Sequence, residues 1–364
     1  MLKALVIADD LTGACDAAVT FRRRGMETMV AVNDGIIGRA GKVLGLSTDS
    51  RDLGAAEAEA RIRSAAAQFT ERPRVLFKKI DSLLRGNPGW EVRAALGAFG
   101  CEVALLTPAF PEMHRIVRKG LLYLEGAQDW QPIDVQARLK SQGLENLVHV
   151  QPEAVQEAIR QGSRYISVEA ACNQDLELIT RSAMESGKRI LWAGSAGLAA
   201  AVAAWLDQAD FGAAAQRERP STSRRPVLFC IGTNHSLTAD QVLELLRQRP
   251  CRRCEQGKIP LQVREHVILT IPPDASPQQL RKDLVRVPDT FGAVLLSGGR
   301  TAALICQALG IEAIKLEGEI VTGLPWGILE GGSWGKLPVA TKSGAFGETD
   351  ALVRVADFFS CPQN

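Results

Sequence analysis

At 364 residues, with a formal net charge of +2, 46% hydrophobic and 23% charged residues, the chain has material for large apolar cores and no charge excess suited to nucleic acid or a membrane surface. No stretch approaches the length of a bilayer span, and the first residues read as a strand rather than a basic, apolar, cleavable leader, so a cytoplasmic location is expected. The length favours two domains over one.

The opening run Leu2–Ala8 predicts a buried parallel strand, and Asp9-Asp10-Leu11-Thr12-Gly13 predicts a turn into a helix over Thr12–Arg24. Strand-like runs recur at Glu27–Val32, Val43–Leu46, Val75–Lys79, Val103–Leu106, Leu147–Val150, Tyr165–Val168 and Ile190–Ala193, with helical segments such as Ala55–Phe69 between them. This alternation predicts an α/β domain, a mostly parallel sheet flanked by helices. Periodicity stops between Asp207 and Pro226, which predicts a substrate domain over 1–211, a connector over 212–226 and a second α/β domain over 227–364, with the active-site cleft between the two. The second alternation has strands at Val227–Ile231, Val267–Ile271, Ala293–Ser297 and Val339–Lys342 and closes on a helix over Asp350–Phe359.

The eight cysteines are scattered and are expected to be reduced thiols. Only Cys251-Arg252-Arg253-Cys254 has ligand-like spacing; His235 and His266 lie at unsuitable distances from it, so it reads as a surface turn rather than a zinc site.

Three strand ends in the first half carry polar clusters. They are Asp9-Asp10, Lys78-Lys79-Ile80-Asp81-Ser82-Leu83-Leu84-Arg85-Gly86-Asn87, and Thr107-Pro108-Ala109-Phe110-Pro111 with Arg115. The carboxyl edge of a parallel sheet is where ligands bind, and fixed cations beside hydrogen-bonding groups suit a carboxylate that also carries hydroxyls. In the second half, Ser297-Gly298-Gly299-Arg300-Thr301 and Thr341-Lys342-Ser343-Gly344-Ala345-Phe346-Gly347 offer backbone N–H groups, hydroxyls and a lysine to phosphate oxygens. Gly194-Ser195-Ala196-Gly197 fits either a ligand turn or close helix packing. The hydrolase elbow Gly-x-Ser-x-Gly and a Gly-x-Gly-x-x-Gly turn at the opening strand are both missing from the sequence. A polyol-acid site in one domain and a phosphate cradle in the other is the arrangement a two-domain kinase requires.

These motifs, in this order and with Ala8-Asp9-Asp10-Leu11-Thr12-Gly13-Ala14 at the start, resemble the four-carbon acid sugar kinases over nearly the whole chain. The resemblance implies an N-terminal half that binds a sugar acid, a C-terminal half that binds ATP, and phosphorylation of the terminal hydroxyl of threonate, erythronate or a 3-oxo-tetronate with Mg-ATP. The chain departs from the family at His114, where a glycine is usual before Arg115, in a shorter loop over Leu124–Trp130, at Gly232-Thr233-Asn234-His235-Ser236, where Gly-Ser-x-Ser is usual, and at Arg300, where Asp is frequent. The assignment that follows makes Asp10 the group orienting or deprotonating the acceptor hydroxyl. Asp9 and Asp81 are its alternates, and one of the three is a candidate for holding Mg²⁺ through water. Lys78, Lys79, Ser82, Arg85, Arg115 and His114 are expected at the substrate, and Gly232, Gly298, Gly299, Thr301, Lys342, Ser343, Gly344 and Gly347 at ATP. The sequence leaves open which carboxylate is base and which is metal partner, which acid is the substrate, and whether the chain forms a homo-oligomer. Rival readings are a kinase of another polyol acid and a non-catalytic sensor of a sugar acid or nucleotide.

Overall fold

The computed structural model describes residues 2–32, 41–70, 72–126, 130–210, 225–260 and 262–360. Strands are β1 (Ala4–Ala8), β2 (Thr28–Ala31), β3 (Val43–Ser47), β4 (Val75–Lys79), β5 (Val103–Thr107), β6 (Arg115–Arg118), β7 (Leu121–Leu124), β8 (Ile133–Asp134), β9 (Leu147–Val150), β10 (Tyr165–Val168), β11 (Ile190–Gly194), β12 (Val227–Ile231), β13 (Cys251–Cys254), β14 (His266–Thr270), β15 (Ala293–Ser297), β16 (Ala313–Glu319), β17 (Pro325–Glu330) and β18 (Pro338–Lys342). Helices are α1 (Leu11–Arg22), α2 (Ala55–Ala67), α3 (Pro88–Ala98), α4 (Val135–Lys140), α5 (Val155–Arg160), α6 (Asn173–Met184), α7 (Ala196–Asp210), α8 (Ser236–Gln248), α9 (Pro277–Leu284), α10 (Gly299–Leu309) and α11 (Ala351–Ser360). The expected connector falls mostly outside the described residues, as do positions 127–129 of the shortened loop.

Two compact units form, the first from Met1–Glu27 and Ala40–Ala214, the second from Thr28–Arg39 and Ala215–Asn364. In the first, the parallel sheet runs β3-β1-β4-β11-β5-β10-β9. Its central strands β1, β4, β11 and β5 are buried on both faces, as the unbroken apolar run Ala4–Ala8 requires, and each fully buried Leu, Val or Ile stabilises the unit by about 1.5–3 kcal/mol. The register sets Ala8 opposite Ser47, and Gly194 opposite both Lys79 and Thr107, so the carboxyl ends of these strands lie level. A small antiparallel sheet β6-β7-β8 carries Arg115 at its first position.

In the second unit β13-β14-β12-β15-β18 are parallel, and β17, β16 and β2 continue antiparallel. Phe229, Leu295, Trp326, Leu352 and Phe359 are among the residues of its core.

Three local features differ from expectation. Thr28–Ala31 is a strand, as expected, but it belongs to the second unit rather than the first, and there it pairs antiparallel with β16. The β16–β17 hairpin was not expected at all, although Ala-Ile-Lys-Leu-Glu alternates with period two. Cys251–Cys254 is a strand rather than a turn, and three residues apart on a strand the two thiols leave on opposite faces. Among the described residues no helix is long and apolar enough to cross a membrane.

Candidate active site

The first constellation grows from the end of β1. Asp10 is the N-cap of α1: its Oδ1 accepts from the Gly13 N–H at 2.5 Å and from Thr12 Oγ1 at 3.1 Å, satisfying donors that a helix start leaves open. Asp9, its neighbour, faces Arg51 from the loop after β3. Arg51 Nε donates to Asp9 Oδ2 at 2.9 Å and Nη2 to Oδ1 at 2.8 Å, while Nη1 contacts Asp10 Oδ2 and Nη2 stands 3.7 Å from Asp81 Oδ2. Asp81, in the turn after β4, takes a second fork from Arg85, with Nε at 2.9 Å and Nη2 at 2.6 Å. All three carboxylates are buried, and Ser82 beside them is buried as well.

Lys78 and Lys79 lie beneath these groups. Neighbouring residues of a strand point to opposite faces, so Lys78 meets Glu91 of α3 at 2.9 Å and Lys79 meets Asp16 of α1 at 3.6 Å. Both lysines, expected at the substrate, face internal carboxylates. Arg115 is also buried, donates to the Met113 carbonyl, and is close enough to Asp81 and Asp16 to interact with both electrostatically. His114 precedes it in the left-handed region at φ 62°, exposed, in a conformation that costs glycine nothing.

Burial and neighbouring charges set the carboxylates apart. Burial pushes Asp9 up, but Arg51 outweighs it and holds the group below its usual value. For Asp10, burial, helped by the adjacent Asp9, prevails over Arg51 and the group is raised. Asp81 is buried too, yet Arg85 and then Arg51 keep it well below the usual carboxylate range. Asp16 is raised to about 6 by burial, against the pull of Lys79. Of the three carboxylates beside Arg51, Asp10 is therefore the one disposed to take a proton.

In the second unit the ends of β12, β15 and β18 are adjacent, with Ser297 opposite both Ile231 and Lys342. Gly298, at φ 100°, is the N-cap of α10, and Gly299 and Thr301 lie in its first turn. A Cβ on Gly232 would overlap Thr301 Oγ1 and lie 3.0 Å from Thr301 Cβ, and one on Gly344 would overlap Thr233 Oγ1, so these turns close only around glycine. Gly347, at φ 84°, would press a Cβ to 2.8 Å from that of Ala351. Lys342 is fully buried and gives hydrogen bonds at 3.1 Å to Thr238 Oγ1 and to the Ser343 and Gly344 carbonyls; burial lowers it to about 7. Its three donors hold the turn in shape. Ser297 Oγ and Thr341 Oγ1 are buried without a hydrogen-bond partner. Ser297 directly precedes the Gly298 N-cap of α10, and an unpaired hydroxyl beside a helix N-terminus in a glycine-walled turn fits a phosphate chain.

Sequence reasoning missed Arg51, Asp16 and Glu91. Arg51 had the same signal as the others, a polar cluster Ser47-Thr48-Asp49-Ser50-Arg51 at a strand end. For Gly194–Gly197 the structure favours packing: a Cβ on Gly194 would sit 2.7 Å from the Thr107 carbonyl, and Ser195 Oγ donates to the Ala109 carbonyl.

A family model described as a sugar-binding N-terminal domain matches residues 4–137 and 133–202, and one described as a nucleotide-binding C-terminal domain matches 278–352. The chain is 30% identical over 408 aligned positions to a D-threonate kinase of Bordetella bronchiseptica, covering 96% of each chain. It is 25% identical to a D-erythronate kinase of Heliobacterium modesticaldum, covering 98% of this chain and 97% of that one. A crystal structure from Salmonella typhimurium LT2 shares the fold at a TM-score of 0.76 and 19% identity, over 99% of both chains. With one domain model covering more than half of its length and a 30% identical relative matched almost end to end, the chain belongs to the four-carbon acid sugar kinase family.

Proposed function

We propose that this protein transfers the γ-phosphoryl group of ATP to the terminal hydroxyl of a four-carbon sugar acid, of the class formed by threonate, erythronate and 3-oxo-tetronate. The observation that carries this reading is the gathering of Asp9, Asp10 and Asp81 around Arg51 at level strand ends, within the part of the chain that matches a sugar-binding domain. Asp10, the raised carboxylate, orients the acceptor hydroxyl and accepts its proton. Asp9 and Asp81, held ionised by arginines, accept hydrogen bonds from the other hydroxyls. Arg85, half exposed, and Arg115, with Ser82, meet the substrate carboxylate, and exposed His114 stands at the outer edge. Lys78 and Lys79 supply positive charge from beneath. On the nucleotide side, Gly232, Gly298, Gly299, Thr301, Ser343, Gly344 and Gly347 form the phosphate cradle, and Lys342 braces it. The magnesium that accompanies ATP would be held at this cradle with the phosphates and would supply charge neutralisation for phosphoryl transfer.

The test is ADP release, by a coupled assay, across a panel of C4 and C5 sugar acids. Turnover with at least one C4 acid is expected; none on any C4 acid in the presence of Mg-ATP refutes the assignment.

A further inference from the structure

Three carboxylates close together in a kinase invite a divalent cation, but here each already faces an arginine, whose fixed positive charge opposes a second cation while lone pairs remain for neutral hydroxyl donors. Both Asp9 oxygens are on the Arg51 fork. One Asp10 oxygen contacts Arg51 and the other caps α1. Asp81 Oδ1 takes the Leu83 N–H at 3.0 Å and Arg85 Nε at 2.9 Å, and its Oδ2 takes Arg85 Nη2 at 2.6 Å. Magnesium requires near-octahedral oxygen ligation at about 2.0–2.1 Å and keeps several waters. The flat guanidinium, by contrast, fits two lone pairs of one carboxylate and reaches its neighbours with the remaining donors. Among the described residues no group of His, Cys, Asp and Glu is arranged to hold a metal ion.

Arg51 is also built into place. The Ser50 N–H donates to the Asp9 carbonyl at 2.9 Å and Thr48 Oγ1 to the Ala8 carbonyl at 3.0 Å, fastening the Arg51 loop to the end of β1. Ser50 Oγ donates to Glu91, whose other oxygen holds Lys78, and Asn87 Nδ2 donates to the Leu53 carbonyl at 2.8 Å. Tied at four points to the ends of β1 and α3, the loop fixes the backbone from which Arg51 reaches the carboxylates.

We propose that Arg51 is the resident cation of the acceptor half, a positioning residue that holds Asp9 and Asp10 in place, so that Mg²⁺ enters with the nucleotide instead of binding these aspartates. The proposal rests on the kinase reading above and removes the aspartates as candidates for magnesium.

Two measurements on the full chain decide it. Electron paramagnetic resonance of Mn²⁺ added to the nucleotide-free wild type is expected to show no metal held at equimolar concentration. Stoichiometric binding that Asp9→Asn abolishes overturns the proposal. Arg51→Lys keeps a positive charge but loses the fork, so kcat/KM for the acceptor acid should fall about 10- to 100-fold while the KM for ATP stays within about twofold. Wild-type kcat/KM in Arg51→Lys overturns the positioning role. Should the lysine variant not fold, the manganese measurement still decides the metal question. If no acid in the panel is turned over, the kinase reading fails, whereas the manganese result stands independently.

Discussion

Lys78 offers a direct choice between a substrate ligand and an internal strut. Its side chain is 1% exposed, and its ammonium lies 2.9 Å from Glu91 Oε2, on a side chain that is 2% exposed, and donates to the Lys79 carbonyl at 2.8 Å. Replacing it by methionine preserves the volume of the stem but leaves the Glu91 charge buried with Ser50 as its remaining partner. Breaking a buried pair from one side costs about 3–5 kcal/mol, which for a unit of this size is a fall of about 6–20 °C in Tm. Removing both charges, in Lys78→Met/Glu91→Leu, costs the Ser50 and Lys79-carbonyl hydrogen bonds and imperfect packing but leaves no unpaired buried charge, so most of the loss should be recovered and the coupling energy should exceed about 2 kcal/mol. Thermal melts followed by circular dichroism on the wild type, both single variants and the double variant give that cycle, and acceptor KM on the same proteins separates the two roles. Should Lys78→Met melt within about 2 °C of wild type and chiefly raise the acceptor KM, the strut account is refuted and Lys78 is a substrate ligand.

Asp10→Asn should lower kcat by about two to four orders of magnitude while ATP binding, measured by calorimetry, is unchanged; retention of half the wild-type activity excludes Asp10 as the base. Gly232→Ala forces a methyl into Thr301, an overpacking of about 1–3 kcal/mol at the cradle, and should raise the KM for ATP about tenfold with acceptor KM within about twofold; an unchanged ATP KM removes Gly232 from the cradle. Asp16 titrates near 6 when folded and at its ordinary lower value when unfolded, so the stability it contributes is complete below about pH 4 and is lost as pH rises through about 6. Urea midpoints of wild type minus Asp16→Asn should therefore decline between pH 4 and pH 6.5, and a flat difference contradicts a raised Asp16.

The class of the fold was legible in the residues, and so were the strand ends where ligands are proposed to bind. A strand buried on both faces is mostly apolar, so β1, β5, β11, β12 and β15 announce themselves as short apolar runs, while β4 and β18 are apolar at their starts and end in lysines that find partners inside. The turns after them stand out because their glycine and polar content interrupts those runs. That rule alone singles out Asp9, Asp10, Asp81 and the glycines of the proposed cradle as candidates. Partner choice was decided only by tertiary structure. Sheet order β3-β1-β4 differs from chain order and brings Arg51 to Asp9 across 42 positions of sequence, and strand alternation turns Lys78 and Lys79 to different helices, Glu91 and Asp16 being their counter-charges. Likewise the pairing of Thr28–Ala31 with β16 follows from which open strand edge is available, a property of the assembled sheet that four residues of local pattern do not contain. Charges buried in a low-dielectric interior must find a counter-charge wherever the fold supplies one, and strand order, rather than proximity along the chain, decides where that is.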